Sequence, residues 1–198
     1  IALPHRSERP DDEDEAKHQQ GQRKFHDDPP ELLIGILPCR ALCAKQNRMT
    51  QLTLCPRSAL YLPASNARAI EKARTLAADM IMLDLEDAVP ADKKEEARAA
   101  AVAAMEAGFG ERMTAIRVNA VDTPLHALDI AAVAASKAQY CVVPKVDRAE
   151  DAAAVVQAVG KPVFAMLDTP VGVLNAAALA AVDGVVRLFA GINDLKNE

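Results

Sequence analysis

The sequence predicts an α/β fold in which parallel strands alternate with helices and close as a (β/α)8 TIM barrel. From residue 58 onward, short apolar and β-branched runs alternate with alanine-rich stretches of helical length, the pattern of βαβ units. Each apolar run ends in polar residues that come just before the next helix. A doubly wound open sheet is less favoured, because the turn after the first run reads LPASN (residues 62–66) and is not a glycine-rich phosphate loop.

About six strands and five helices of such a barrel can be followed along the chain. The predicted strands are residues 58–64, 80–88, 113–120, 140–146, 162–169 and 185–192. The predicted helices are residues 66–78, 91–107, 124–137, 149–159 and 170–182, several of which begin with Ser, Asp or Thr near a proline. We therefore expect residues 56–198 to form a partial (β/α)8-barrel catalytic domain, a fragment that stops after the sixth strand.

Residues 1–55 have a different composition, with a charge-dense run at 9–18 followed by glutamine-rich and proline-rich segments. Such a stretch cannot bury enough apolar surface to offset its ordering entropy. We expect an irregular leader that is either disordered or not native. On one interpretation Met49 is the translation start and residues 1–48 are upstream sequence; on the other they are a natural disordered extension.

Composition excludes several classes of function. The net charge of −5 and the sequence pI of about 5.4 provide no general cationic surface for nucleic acid or anionic lipid. No apolar run reaches the roughly 18 residues that span a bilayer. The four cysteines form no CxxC pair, so neither a zinc site nor a disulfide framework is predicted, and a cytoplasmic location follows.

The polar residues at the strand ends are the main functional signal, because the carboxyl ends of parallel barrel strands form one ligand-binding face. Asp168 and Asp194 end the fifth and sixth strands, about one β/α unit apart. Two carboxylates from neighbouring strands, with positions left for water and substrate, suit Mg²⁺ as a Lewis acid. The alternative is that Asp168 only caps the helix that begins at Pro170.

Arg117 and an acid cluster belong to the same predicted face. Arg117 lies in an otherwise apolar strand, where it is either a bidentate clamp for a substrate carboxylate or a structural ion-pair partner of Asp84 or Glu86. Asp84, Glu86 and Asp87 are crowded acids, which raises one pKa and provides a candidate general acid/base; a solvated loop is the alternative.

Two further groups of basic residues are open to more than one interpretation. Lys145 ends the fourth strand, where it can bind an anion, neutralise the acids or form a Schiff base, the last being least compatible with metal ligands nearby. Arg57, Arg68 and Lys72 flank the first strand and helix, and either meet phosphates or are solvated surface charges.

Seven strings in order give the sequence a specific likeness to a known family. They are RSALYLPASNAR (57–68), LDLEDAV (83–89), IRVN (116–119), VPKV (143–146), AMLDTP (165–170), GVLNA (172–176) and GINDL (191–195). Together they resemble the HpcH/HpaI aldolase and citrate lyase beta-subunit family from about residue 57 to the end.

The resemblance implies a (β/α)8-barrel lyase that uses Mg²⁺ and cleaves citryl-, malyl- or citramalyl-CoA to a 2-oxo acid plus an acyl-CoA. It implies metal ligation by Asp168 and Asp194 and binding of a substrate carboxylate by Arg117. It also places Arg57 and Lys72 where the CoA-ester branch meets CoA phosphates. A homo-oligomer, trimer or hexamer, or a lyase complex is the assembly it implies.

Two rival functions stay open beside the one that the resemblance implies, and departures from the family pattern favour the first of them. Asp168 stands where the family usually has Glu, Val171 where Arg is common, and Ile192 where Thr is common. A degenerate or truncated non-catalytic barrel is one rival. The other is a CoA-independent class II aldolase of 2-oxo acids, against which Asp87 argues because the aldolase branch carries histidine at that position.

Overall fold

The computed structural model describes residues 56–197 and places six parallel strands in one sheet. The strands are β1 (Ala59–Pro63), β2 (Met80–Asp84), β3 (Met113–Arg117), β4 (Tyr140–Val143), β5 (Val163–Leu167) and β6 (Val185–Ala190). Each strand pairs only with its neighbours in the chain, in the order β1-β2-β3-β4-β5-β6. This order is that of a barrel and not of an open sheet whose strand order reverses, so the predicted fold class is confirmed.

Helices follow the strands much as predicted, with two differences near the carboxyl end. They are α1 (Ala67–Ala73), α2 (Lys94–Ala107) after a 3₁₀ turn at Ala91–Lys93, α3 (His126–Ala135), α4 (Ala149–Val159), α5 (Pro170–Leu174), α6 (Ala176–Ala180) and α7 (Ile192–Leu195). The single helix predicted at 170–182 is wrong, because this segment forms α5 and α6, and α7, which contains Asp194, was not predicted. Asn175 interrupts the predicted helix, because its side-chain amide donates to the backbone carbonyl of Asp147 at 2.8 Å.

The two faces of the sheet bury different residues because strand side chains alternate. One face packs under the helices. Its strand residues include Ile81, Leu83, Ile116, Cys141, Val143 and Ala165. The other face is the barrel interior, and its buried residues are Met80, Met82, Met113, Ala115, Val142 and Phe164.

The same alternation directs two charged residues into the barrel. Asp84 continues the interior series of β2 and Arg117 that of β3. Asp84 and Arg117 are also paired positions in the register of these two strands. The ends of two otherwise apolar strands, β2 and β3, thereby place one charge each side by side on the interior face.

Some expectations concern residues that the structure does not describe. The irregular leader predicted at 1–55 lies outside residues 56–197, as do three of the four cysteines; the fourth, Cys141, is buried and unpaired. Within residues 56–197, no helix is long and apolar enough to cross a membrane.

Candidate active site

Arg117 and Asp84 form a buried, two-pronged ion pair at the carboxyl ends of β3 and β2. The Arg117 Nε donates to Asp84 Oδ1 at 2.7 Å and its Nη2 donates to Asp84 Oδ2 at 2.8 Å. Asp84 also accepts from the backbone N–H groups of Glu86 and Ala88. Burial alone lowers the pKa of Arg117, but the Asp84 carboxylate holds it above its ordinary value. The pairing with Asp84 proposed as one alternative from the sequence is therefore present.

The pairing leaves part of the guanidinium free for another anion. An arginine carries five N–H donors, and Asp84 takes two of them. Arg117 Nη1 lies 2.8 Å from Glu86 Oε2, an ion-pair contact without hydrogen-bond geometry, and 3.7 Å from Asp87 Oδ2. The remaining donors on Nη1 and Nη2 are available to a substrate carboxylate, so the two interpretations of Arg117 are compatible.

The three acids that were grouped by sequence have different surroundings. Asp84 is fully buried, and both its oxygens accept hydrogen bonds. Asp87 is on the rim, with 56% of its side chain exposed. Glu86 lies between them, and burial raises its pKa to about 7 although the Arg117 charge opposes the shift. Glu86 is thus the acid that can exchange a proton near neutral pH.

Asp168 is a buried carboxylate with one unused oxygen. The residue is 1% exposed, and its Oδ2 accepts from the backbone N–H of Lys145 at 3.2 Å. Its Oδ1 has no hydrogen-bond partner among the described residues. Burial, followed by the charge of nearby Asp194, raises the pKa of Asp168. The helix cap is instead Thr169, whose Oγ1 accepts from the N–H of Gly172 at 2.9 Å.

This arrangement fits a divalent cation that takes few protein ligands. A buried carboxylate with an orphaned oxygen is costly, and a cation beside it removes that cost. Residues 56–197 contain no cluster of three or more His, Cys, Asp or Glu that could hold a metal. Asp168 and Asp194 together supply two carboxylates, and Mg²⁺ commonly uses one or two carboxylates and keeps several waters.

Lys145 lies between Asp168 and the acid cluster of Asp84, Glu86 and Asp87, and contacts both. Its backbone N–H donates to Asp168, while its Nζ lies 3.7 Å from Glu86 Oε1. Its φ of 50° is the one positive value among the described non-glycine residues. A lysine gains nothing from this left-handed conformation itself, so the surrounding contacts maintain the strain.

Tyr61 is a site residue that the sequence reasoning missed. Its ring lies under the guanidinium of Arg117, 4.9 Å from ring centroid to Cζ, and the residue is 39% exposed. Its hydroxyl contacts the sulfur of Met166 at 3.6 Å. Burial raises the pKa of its hydroxyl. Its register with Met82 places it on the interior face, and the sequence alone does not give that register.

The structure does not bring Arg57 and Lys72 to this site. Arg57 precedes β1 and pairs at 3.3 Å with Asp79, which precedes β2, so both lie at the amino ends of the strands. A cavity of about 670 Å³ opens there. Lys72 is exposed in the last turn of α1. Their assignment to CoA phosphates therefore depends on the sequence resemblance alone.

Comparison with known proteins gives matches over the same part of the chain. Residues 57–198 match the family model for HpcH/HpaI aldolase/citrate lyase. A (3S)-malyl-CoA thioesterase from Cereibacter sphaeroides is 45% identical over 144 residues, 72% of this chain and 50% of that protein. A citrate lyase subunit beta-like protein from Mycobacterium tuberculosis is 35% identical over 136 residues, 69% of this chain and 47% of that protein.

A solved structure from the same organism shares the fold. It is a citrate lyase beta subunit from M. tuberculosis complexed with oxaloacetate and magnesium. It is 31% identical, with a TM-score of 0.61 over 70% of this chain and 59% of that one. This chain spans about half the length of the two curated relatives named above.

Proposed function

This chain belongs to the HpcH/HpaI aldolase/citrate lyase family, and from that premise we propose that it is part of a Mg²⁺-dependent carbon-carbon lyase acting on CoA thioesters. The substrate is a 3-hydroxyacyl-CoA such as citryl-, malyl- or citramalyl-CoA, and the products are a 2-oxo acid and an acyl-CoA. The observation that carries the proposal is Asp168, a buried carboxylate whose Oδ1 has no hydrogen-bond partner among the described residues and whose pKa the charge of Asp194 helps to raise. It lies at the same end of the barrel as Arg117.

The proposal assigns a separate role to each side chain of the candidate site. Asp168 and Asp194 hold Mg²⁺, which when bound supplies Lewis-acid polarisation of a carbonyl oxygen. Arg117 binds the carboxylate of the 2-oxo acid portion through its free donors, while Asp84 fixes the plane of the guanidinium. Tyr61 covers one face of that guanidinium.

Glu86 is the proposed acid/base. It takes the proton of the 3-hydroxyl group, and the electron pair of the bond between C2 and C3 passes to the thioester as C3 becomes a carbonyl. The same carboxyl then returns its proton to C2, which releases the acyl-CoA. A pKa of about 7 suits a group that must do both near neutral pH.

We keep thioester hydrolysis as a second candidate because the relative at 45% identity is a (3S)-malyl-CoA thioesterase. Here Glu86 would activate water for attack on the thioester carbonyl, and the products would be a free hydroxy acid and CoA. The two reactions differ in which bond breaks, so their products distinguish them.

Incubation with malyl-CoA and Mg²⁺ tests both candidates. A lyase yields glyoxylate, which phenylhydrazine traps, without free thiol; a thioesterase yields malate and a thiol that a disulfide reagent titrates. Citryl- and citramalyl-CoA are assayed in parallel, and pyruvate with an aldehyde tests the CoA-independent aldolase. Absence of every product at saturating Mg²⁺ would overturn the proposed activity.

Metal binding is measured separately from turnover. Calorimetry should detect Mg²⁺ binding in the unaltered protein and in Asp183→Asn, an exposed carboxylate chosen as control, but not in Asp168→Asn or Asp194→Asn. No binding to the unaltered protein would favour a non-catalytic barrel. The oligomer or lyase complex and the cytoplasmic location stay predictions, and light scattering of the purified protein measures the assembly.

A further inference from the structure

Behind the acid cluster, the ammonium group of Lys94 holds the backbone around Glu86. Its Nζ donates to the carbonyl oxygens of Leu85 and Glu86, each at 2.7 Å, and to Asn119 Oδ1 at 2.8 Å. An ammonium has three hydrogens, and each has an acceptor here. Among residues 56–197, no carboxylate forms an ion pair with Lys94. Its charge is therefore directed at the backbone carbonyls and one amide.

Asn119 connects this lysine to a buried ion pair. Its backbone N–H and Nδ2 donate to Asp129 Oδ2 at 2.9 and 2.5 Å, and Arg98 Nε donates to Asp129 Oδ1 at 2.6 Å. Asp129 is fully buried. Because lysine only donates and the carboxylate only accepts, the amide of Asn119 has one orientation that satisfies both. The contacts join α2, α3 and the segment after β3.

These contacts fix Glu86 from two sides. Lys94 holds its carbonyl oxygen, and Asp84 Oδ1 accepts from its N–H at 2.9 Å. The Glu86 side chain then lies 2.8 Å from Arg117 Nη1. Lys94 is an intermediate, partly covered residue at the start of α2, and no contact joins its side chain to Arg117 or Asp168. Any influence on the site therefore passes through the backbone of Leu85 and Glu86 or through Asn119, and not through a direct contact with Arg117 or Asp168.

We propose that Lys94 is a positioning residue that holds the Glu86 carboxyl against Arg117, and, granted the function proposed above, that it supports turnover and not substrate binding. A lysine at this position fixes two successive carbonyl groups with one charged donor. Without it, Glu86 would keep its N–H bond to Asp84 but lose the restraint on its carbonyl side.

The chain offers a matched control. Lys161 Nζ also donates to two backbone carbonyls, those of Ser136 at 2.6 Å and Ala138 at 2.8 Å. These carbonyls come just before β4, at the amino ends of the strands and away from Glu86. Lys94→Met and Lys161→Met thus remove the same kind of interaction from opposite ends of the barrel.

Hydrogen exchange of the Glu86 and Ala88 amides, followed by NMR, tests the inference without any assay of activity. Both amides donate to Asp84 and should exchange about tenfold faster in Lys94→Met, but at the unaltered rate in Lys161→Met. Lys94→Gln serves as the second variant if Lys94→Met does not fold. Unchanged exchange at both amides in the folded Lys94 variant would overturn the inference, even if the protein has no CoA-thioester activity.

Kinetics distinguish a positioning role from a merely structural one. In Lys94→Met, kcat should fall by about tenfold or more while KM changes less than threefold, and Lys94→Arg should recover part of the loss. Lys161→Met should keep both constants. An active protein in which Lys94→Met retains kcat, or raises KM alone, would contradict the inference; an inactive unaltered protein would contradict only the proposed function.

Discussion

Asp84 and Arg117 are 33 residues apart in the chain and are joined by two parallel hydrogen bonds in the barrel interior, at 2.7 and 2.8 Å. Both are buried, and each is the last residue of its strand. Removing one partner of such a pair leaves an uncompensated charge, which costs much more than the pair contributes. This two-bond ion pair therefore contributes to stability and also fixes the orientation of the remaining Arg117 donors, which face the substrate in the proposed function.

Replacing the Arg117 guanidinium with a lysine ammonium should affect both stability and substrate binding. Arg117→Lys keeps the charge but loses at least one of the two bonds to Asp84, and we expect the free energy of unfolding to fall by about 1–3 kcal/mol. KM should rise while the Mg²⁺ dissociation constant stays unchanged. Urea denaturation, initial rates and calorimetry measure the three quantities.

The control for this change is Arg74→Lys. Arg74 pairs with Glu71 and lies over the ring of Phe109, remote from Asp84. It should leave KM and Mg²⁺ affinity unchanged. If Arg117→Lys weakens Mg²⁺ binding in parallel with substrate binding, Arg117 shapes the whole site and is not a dedicated carboxylate ligand.

Glu86 should make stability depend on pH in a defined direction. Burial raises its pKa from 4.5 to about 7 in the folded protein. Between these values the folded state binds more protons than the unfolded state, so this contribution to stability is complete below about pH 4.5 and is lost as pH rises through 7. Glu86→Gln, which cannot titrate, lacks this dependence.

The measurement is the difference in urea midpoint between the unaltered protein and Glu86→Gln, taken from pH 4 to pH 8.5. Other titrating groups, including Asp168, largely cancel in this difference. The unaltered protein should lose stability relative to the variant as pH rises across the window and level off above it. A difference that is flat with pH would show that Glu86 titrates normally and is a poor choice of acid/base.

Gly191 should be required for the placement of Asp168. A Cβ at residue 191 would lie 1.7 Å from Asp168 Oδ1, a distance no real contact permits, so the carboxylate must move in Gly191→Ala. We expect Mg²⁺ affinity to fall about tenfold and the melting temperature to drop. Calorimetry and thermal unfolding in EDTA separate the two effects.

Gly172→Ala is the matched substitution for this prediction. Its Cβ would come no closer than 3.2 Å to Asp147 and 3.3 Å to Thr169, and Asp168 is not among the nearest atoms. It should cost less stability and leave Mg²⁺ affinity unchanged. Equal loss of affinity in both variants would indicate a general loosening near the site.

The strained backbone of Lys145 can be separated from its charge. Both Lys145→Gly and Lys145→Ala lose the ammonium and keep the N–H that donates to Asp168, but only glycine adopts a φ of 50° without strain. We expect Lys145→Gly to be more stable than Lys145→Ala by about 1 kcal/mol in urea denaturation.

The opposite order is expected at Lys137, an exposed residue that is not among those with positive φ. At that position the glycine variant should be less stable than the alanine variant by about 0.5 kcal/mol, because glycine only increases the conformational entropy of the unfolded chain. If the free energy of unfolding of Lys145→Ala equals or exceeds that of Lys145→Gly, the left-handed conformation carries no strain in solution.

The hydrophobic periodicity of the sequence, with its helix-start and turn residues, predicted six strands and most helices. It also predicted which polar residues follow each strand. Local patterns suffice for this because alternation, helical spacing and capping are properties of a few successive residues. The carboxyl-end position of Asp84, Arg117, Asp168 and Asp194 follows directly from that order. The interruption at Asn175 did not follow, since it depends on a bond to Asp147 from another unit.

How those residues meet depends on the tertiary structure. The register of β2 with β3 pairs Arg117 with Asp84 and places Glu86 beside it. The register of β5 with β6 pairs Leu167 with Ala190, so that Asp168 Oδ1 faces Gly191 and has no hydrogen-bond partner among the described residues. Register is set by how both faces of the sheet pack at once, and a shift by one residue would turn each of these side chains to the other face. The sequence could therefore name the polar residues at the strand ends, but it missed Tyr61 beside Arg117 and could not distinguish, among three neighbouring acids, the one whose pKa burial raises to about 7.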